Sequence, residues 1–203
     1  MTRLGGIAAA LAVLIAAVGA AHAATRTLRI CADPNNMPFS NAQQQGFENK
    51  IAALVAADLH AHPTYFWWAQ RRGFVRNTLK AEKCDVWPGV ATKLDMLTTT
   101  RPYYRSTYTF VSRAGDHLDI ASFDDPRLSH LTIGVQMIGN DAMNTPPAHA
   151  LAARGMIANV RGFMLYGDYR RPSPPSAIVD AVAHRQVDIA LVWGPLAGYF
   201  AAR

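Results

Sequence analysis

The sequence predicts an α/β protein made of two successive units, each with a mainly parallel sheet. Three observations carry this. Short apolar runs of strand length alternate with stretches of helical periodicity across residues 28–90, and the alternation resumes across 131–202. Strand–helix–strand alternation implies parallel strands joined by right-handed crossovers. Finally, "LKAEKCDVWPG" (79–89) and "VAHRQVDIALVWG" (182–194) share a form: helix end, basic turn, Asp, apolar strand with Trp, then Gly. Two similar lobes in tandem would produce this echo, and so would a chance likeness between two helix-to-strand turns.

The elements follow in order. Leu28–Ala32 reads as a strand, and Gly46–His60 as a helix with Phe47, Ile51, Leu54, Val55 and Leu59 on its buried face. Thr64–Trp68 is a second strand. Arg72–Lys83 reads as a helix burying Phe74, Val75, Thr78 and Leu79, and Asp85–Val90 as the third strand of a βαβαβ unit. Past Pro102-Tyr103-Tyr104, the β-rich run Ser106–Arg113 leads out of this unit. In the second unit Leu131–Gln136, Val160–Leu165 and Asp188–Trp193 read as strands. Pro146–Arg154 is a helix with Thr145 as N-cap and Gly155 as its stop, and Ser173 caps a helix over Pro174–Arg185. Gly194–Ala202 looks helical. The proline-rich "GDYRRPSPPS" (167–176) is a surface loop leading into a helix, with Arg170 and Arg171 in solvent.

The first 23 residues stand apart. A short positive start at Arg3 precedes an uncharged run from Leu4 to Ala21, and Ala21-His22-Ala23 has the small-x-small pattern of a cleavage site. The alternative is a retained anchor, but Ala and Gly dominate the run. Export with cleavage after Ala23 leaves 24–107 as a first lobe and 108–203 as a second. The mature chain then carries 19 Lys and Arg against 14 Asp and Glu. Eight of those cations lie between Arg71 and Arg105, against only Glu82, Asp85 and Asp95. The cluster Arg71, Arg72, Arg76, Arg101 and Arg105 is a basic surface that would steer acidic partners; a solvated helix face is the plainer reading of Arg71 to Lys83. Export argues against nucleic acid.

Two cysteines remain, Cys31 and Cys84. An oxidising compartment suggests one disulfide. An offset of about 10 Å between residues late in one parallel strand and early in the next argues against it. Both readings stand.

The strings "CADPNNMPFSN", "GFENKIA", "WWAQRRGFVRNTL", "TTRPYYRSTY", "GVQMIGNDAMNTPPAHALAARG", "YGDYRRPSPPSAIVDAV" and "VWGPLAGYF" resemble the periplasmic solute-binding proteins of family 3. Within that family they are most similar to the subgroup encoded beside quinoprotein (methanol) dehydrogenases. The resemblance covers essentially the whole mature chain. It implies a type 2 periplasmic-binding-protein-like fold, two α/β lobes around a central cleft. Ligands of such sheets sit beyond the carboxyl ends of the strands, so "DPNNMPFSN" is expected in the cleft wall. Family members also run on past this length to complete the first lobe. Here that return is expected to be missing: either the chain is a fragment of a longer reading frame, or the first lobe keeps an uncovered sheet edge and apolar face, an aggregation hazard.

Two departures change the expected chemistry. Amino-acid-binding members hold the ligand carboxylate with an Arg before the Pro-Tyr crossover; in "GVATKLDMLTTTRPYY" Met96 falls nearest that position, and Lys93 or Arg101 taking the place of the Arg is the alternative. They pair the ligand ammonium with an Asp five residues after the Asp opening the last strand; that position is Trp193. Burying a zwitterion without charge partners costs several kcal/mol, whereas Met and Trp offer polarizable and aromatic surface. The expected cleft is therefore more apolar, lined by Met37, Phe39, Trp67, Trp68, Met96 and Trp193, with Asp33, Asn36, Gln136 and Asn140 as polar points. Core packing is the competing reading for each aromatic.

Three functions follow as expectations. One is delivery of a small organic solute to a membrane permease, as the substrate-binding component of an ABC transporter. The second, preferred, is an accessory or maturation role toward a periplasmic PQQ (methanol) dehydrogenase. The third, a lyase or dehydratase on the same fold, finds little support. The sequence shows no nucleophile elbow, Gly-rich phosphate loop or metal-ligand cluster. His60 and His62 end a helix without a third ligand, and Asp33 reads as a turn residue. No cofactor is expected.

Overall fold

The computed structural model describes residues 26–92, 94, 96–138, 144–166 and 173–202. The segment 1–23 expected to be a signal peptide, Lys93, Asp95, Asn140, Arg170 and Arg171 lie outside the described residues. Strands β1 (Arg26–Ala32) and β4 (Ala61–Trp67) pair in parallel, Arg26 opposite Ala61 and Ala32 opposite Trp67. Between them come the two-residue strands β2 (Asn35–Asn36) and β3 (Ser40–Asn41), which form a small antiparallel hairpin around a cis Met37–Pro38 bond, and helix α1 (Phe47–Asp58).

Helix α1 starts where the sequence predicts, for a local reason. The Asn49 carboxamide oxygen accepts the N–H groups of Gly46 and Asn41, each at 3.1 Å, closing the N-terminal turn onto the hairpin. Only glycine fits at 46, since a Cβ there would run into the Phe39 carbonyl. The buried face differs from expectation. Ala52 and Ala56 pack on Leu28 and Ile30 of β1, while Leu54 is 70% exposed and Val55 43%. Alanines allow the helix to lie close on the sheet, and the larger side chains are rotated outward.

Segment 72–83 also differs. In place of a three-turn helix there is one turn, α2 (Phe74–Asn77), and then a 3-10 turn at Leu79–Ala81. Thr78 breaks the run at φ −120°, ψ −90°, and its hydroxyl donates to the Phe74 carbonyl at 2.6 Å. The third strand is reduced to a parallel bridge between Ile30 and Val86, as Pro88 and Gly89 follow at once. This also corrects the cysteine geometry. Cys84 precedes the bridge outside any strand, and its Cα lies 5.5 Å from that of Cys31, so the two form a disulfide. The bond is buried among Phe66, Trp68, Phe74, Leu79 and Trp87.

The second sheet has the order β5-β8-β6-β7, from β5 (Tyr108–Ser112), β6 (Ile133–Gln136), β7 (Val160–Phe163) and β8 (Ile189–Trp193). Only β5 is antiparallel to its neighbour. Helices α3 (Pro146–Ala152), α4 (Ala177–Ala183) and α5 (Gly194–Ala201) flank it. Thr145 precedes α3, but its hydroxyl donates to the Gln136 carbonyl at 2.8 Å instead of capping the helix. Pro174–Ser176 forms a 3-10 turn, so α4 begins only at Ala177. One core lies under α3, around Leu128, Ile133, Leu151 and Leu191. The other lies under α4 and α5, around Ile178, Val182, Val192 and Leu196, and it includes Phe39 of the first lobe.

The sequence echo has a structural counterpart. The Asp85 carboxylate accepts the Arg29 N–H at 2.9 Å, and the Arg29 carbonyl accepts the Asp85 N–H at 2.8 Å. Asp188 does the same with Thr132, at 2.8 and 2.9 Å. In each lobe an Asp therefore fastens the chain onto a neighbouring strand, at the middle of β1 in the first and just before β6 in the second.

Candidate functional site

The residues expected around the cleft separate into three groups. The first holds the loop after β1 in shape. Asp33 is buried, and its carboxylate accepts the N–H groups of Asn35 and Gln70 at 2.8 and 2.7 Å. Burial raises its pKa, and those two bonds oppose the rise. Asn36 donates its amide to the Gln70 side chain at 2.9 Å. Both behave as loop braces.

The second group packs. Phe39 is buried in the core under α4 and α5, with Phe47 tilted against it at 5.3 Å. Trp68 lies in the disulfide cluster, and Trp67 stacks on Tyr65 at 4.6 Å. Alternation along β4 sends Tyr65 and Trp67 to one face and Phe66 and Trp68 to the other. Met37 is half-buried beside the cis bond, while Met96 is 54% exposed on its loop.

The third group meets between the lobes. Trp193 ends β8 opposite Tyr108, with ring centres 5.1 Å apart, and its indole lies near enough to the Tyr104 hydroxyl to oppose the rise in pKa that burial causes there. Tyr104 in turn packs edge-on against Phe47 at 5.4 Å and beside Tyr103 at 5.3 Å. Gln136, at the carboxyl end of β6, hydrogen-bonds Tyr166. The Tyr103 hydroxyl accepts the Gly89 N–H at 2.9 Å.

Glu48, in the first turn of α1, belongs here and was not singled out by the sequence. A Cβ on Gly89, whose φ is +76°, would strike the Glu48 carboxyl, so the Gly89 backbone lies directly on it. Glu48 is buried, and burial alone pushes its pKa up to about 8. Its field reaches Tyr103, Tyr104 and Tyr166. Burial raises the Tyr166 hydroxyl to about 12, against the Gln136 bond. At neutral pH Glu48 keeps its proton, so the cluster's own groups are four tyrosines, an indole, a carboxamide and a protonated carboxyl; the Asp33 carboxylate reaches it only through its field at Tyr166. A first-turn Glu is so ordinary at a helix start that "GFEN" gave no sign of this. Among the described residues no group of His, Cys, Asp and Glu is arranged to hold a metal ion.

No protein-family profile matches the chain. A relative, protein MoxJ of Methylorubrum extorquens, is 31% identical over 173 residues, 83% of this chain. The chain spans only 57% of that protein's length. The crystal structure of periplasmic binding protein XoxJ from Methylobacterium extorquens AM1 superimposes with a TM-score of 0.68 and 36% identity, covering 87% of this chain and 72% of XoxJ. The chain belongs to the periplasmic solute-binding proteins of family 3. Within the family it falls in the subgroup of MoxJ and XoxJ, to which MxaJ from Methlophaga aminisulfidivorans MPT adds a TM-score of 0.65 at 27% identity. MxaJ is covered over 71% of its chain. The architecture of this solute-binding protein is accordingly the type 2 two-lobe α/β fold.

Proposed function

We propose that this solute-binding-like protein is exported to the periplasm and serves as an accessory or maturation partner of a PQQ (methanol) dehydrogenase. Its place in the MoxJ and XoxJ subgroup supports the partner. The observation that carries the reading is the aromatic cluster at the junction of the lobes, with Trp193 packed against Tyr108 at 5.1 Å where amino-acid binders are expected to carry a charge. Such a surface suits an apolar or hydrogen-bonding segment better than a zwitterion. The role is a binding one, without catalysis. A second reading, delivery of a small organic solute to a permease, draws on Gln136, Tyr166 and Glu48 as orienting polar groups.

Deleting the gene and assaying the dehydrogenase in periplasmic extracts tests the first reading. Loss of assembled, active dehydrogenase with its transcript unchanged is expected. Full activity in the deletion strain, together with lost uptake of a solute, would replace it with the second.

A further inference from the structure

The two lobes handle their cations in different ways. Every described arginine from 113 onward is engaged: Arg113 with Asp116, Arg127 with Asp125 at 2.6 Å, Arg154 with Asp124 at 2.8 Å and Arg185 with Asp116 at 3.4 Å. Arg161 lies over the Phe163 ring at 5.7 Å. The first lobe does the reverse along 71–83. Arg71, Arg72, Arg76, Lys80 and Lys83 are exposed, and none has an ion-pair partner among the described residues. Arg71 feels Asp33 only at longer range. The acids that could neutralise the segment are turned to another group. Asp85 pairs with Arg29 at 2.6 Å, and the field of Glu82 also falls on Arg29.

The segment is held firmly by its other face. Phe74, Val75 and Thr78 are buried, and the Cys31–Cys84 disulfide fixes the C-terminal end to β1. Five cations thus stand on the outside of a short, anchored ridge whose apolar side chains point inward. A membrane-binding segment would present Trp, Phe or Leu beside its cations, and a single-strand nucleic-acid site would present stacking rings. Within 71–83 the ring of Phe74 is buried, and Leu79 is half-buried against the disulfide cluster, so neither kind of surface is presented beside the five. What remains complementary is a folded acidic surface.

We propose that the ridge Arg71, Arg72, Arg76, Lys80 and Lys83 is a docking surface for an acidic protein, separate from the cluster between the lobes. Identifying that protein with the dehydrogenase rests on the function proposed above; the ridge itself does not.

Surface plasmon resonance on the full exported protein tests both parts separately. The probes are the purified quinoprotein dehydrogenase, poly-L-glutamate and phosphatidylglycerol vesicles. One variant is Arg72→Glu/Arg76→Glu/Lys80→Glu; a control of equal charge change is Arg26→Glu/Lys50→Glu/Arg161→Glu, with circular dichroism confirming that both fold. Both protein-like probes should bind wild type, weaken with added salt, and lose about tenfold or more in affinity with the ridge variant but not the control. Ridge-dependent binding of poly-L-glutamate alone keeps the docking surface and removes the dehydrogenase as its partner. Equal loss in both variants, no ridge effect, or ridge-dependent binding to vesicles alone overturns the proposal.

Discussion

Glu48 is the residue whose environment has the largest thermodynamic consequence. In the folded chain its carboxyl titrates near 8, against 4.5 for an ordinary glutamate, because it is buried. Between those values the native state keeps a proton that the unfolded chain has released. Stability contributed by this group is therefore complete below about pH 4.5, falls as pH rises, and is gone above about 8. Glu48→Gln removes the titration. Urea unfolding from pH 5 to 9 should show wild type losing a few kcal/mol, and the variant holding a flatter profile and exceeding wild type at pH 8. Gly89 is the complementary test, since its backbone covers the carboxyl at φ +76°. Gly89→Ala should cost about 2–4 kcal/mol by thermal unfolding, from strain plus displacement of Glu48.

At the scale of elements, the disulfide and α1 make opposite predictions. Cys31 and Cys84 are 53 residues apart, so replacing both with serine should cost about 4 kcal/mol through the loop entropy returned to the unfolded chain. A lower urea midpoint checks this. Leu54→Lys on the outer face of α1 should stay within about 0.5 kcal/mol of wild type, because the side chain is already in solvent. Sequence reasoning placed α1 correctly but misjudged its face. Periodicity marks Leu54 and Val55 as readily as Ala52 and Ala56, and nothing in one sequence says that the sheet admits only the small pair. The strands β1, β4, β6 and β8 were legible as apolar runs. The helix over 72–83 was not, because Thr78 breaks it with an internal hydrogen bond. The Tyr–Trp–Glu cluster was only partly legible. Trp193 stood out against the family pattern, whereas Tyr108, Tyr166 and Glu48 come together only through the packing of two lobes. The cysteine pair was open in the sequence and is closed by the bend before Val86.

At the scale of the molecule, a solute-binding fold carries an aromatic junction and, among the described residues, a one-sided distribution of unpaired cations. In the proposed reading the first feature sets what the cleft accepts, and the second concerns a surface outside it. No helix among the described residues is long and apolar enough to cross a membrane. The central claim is that, among the described residues, the junction lacks the opposed charges that hold a zwitterion. Isothermal titration of the exported protein with free amino acids, at pH 7 and millimolar ligand, tests it most directly. No saturable heat is predicted for any of them; stoichiometric binding of even one, retained in Glu48→Gln, would contradict the account.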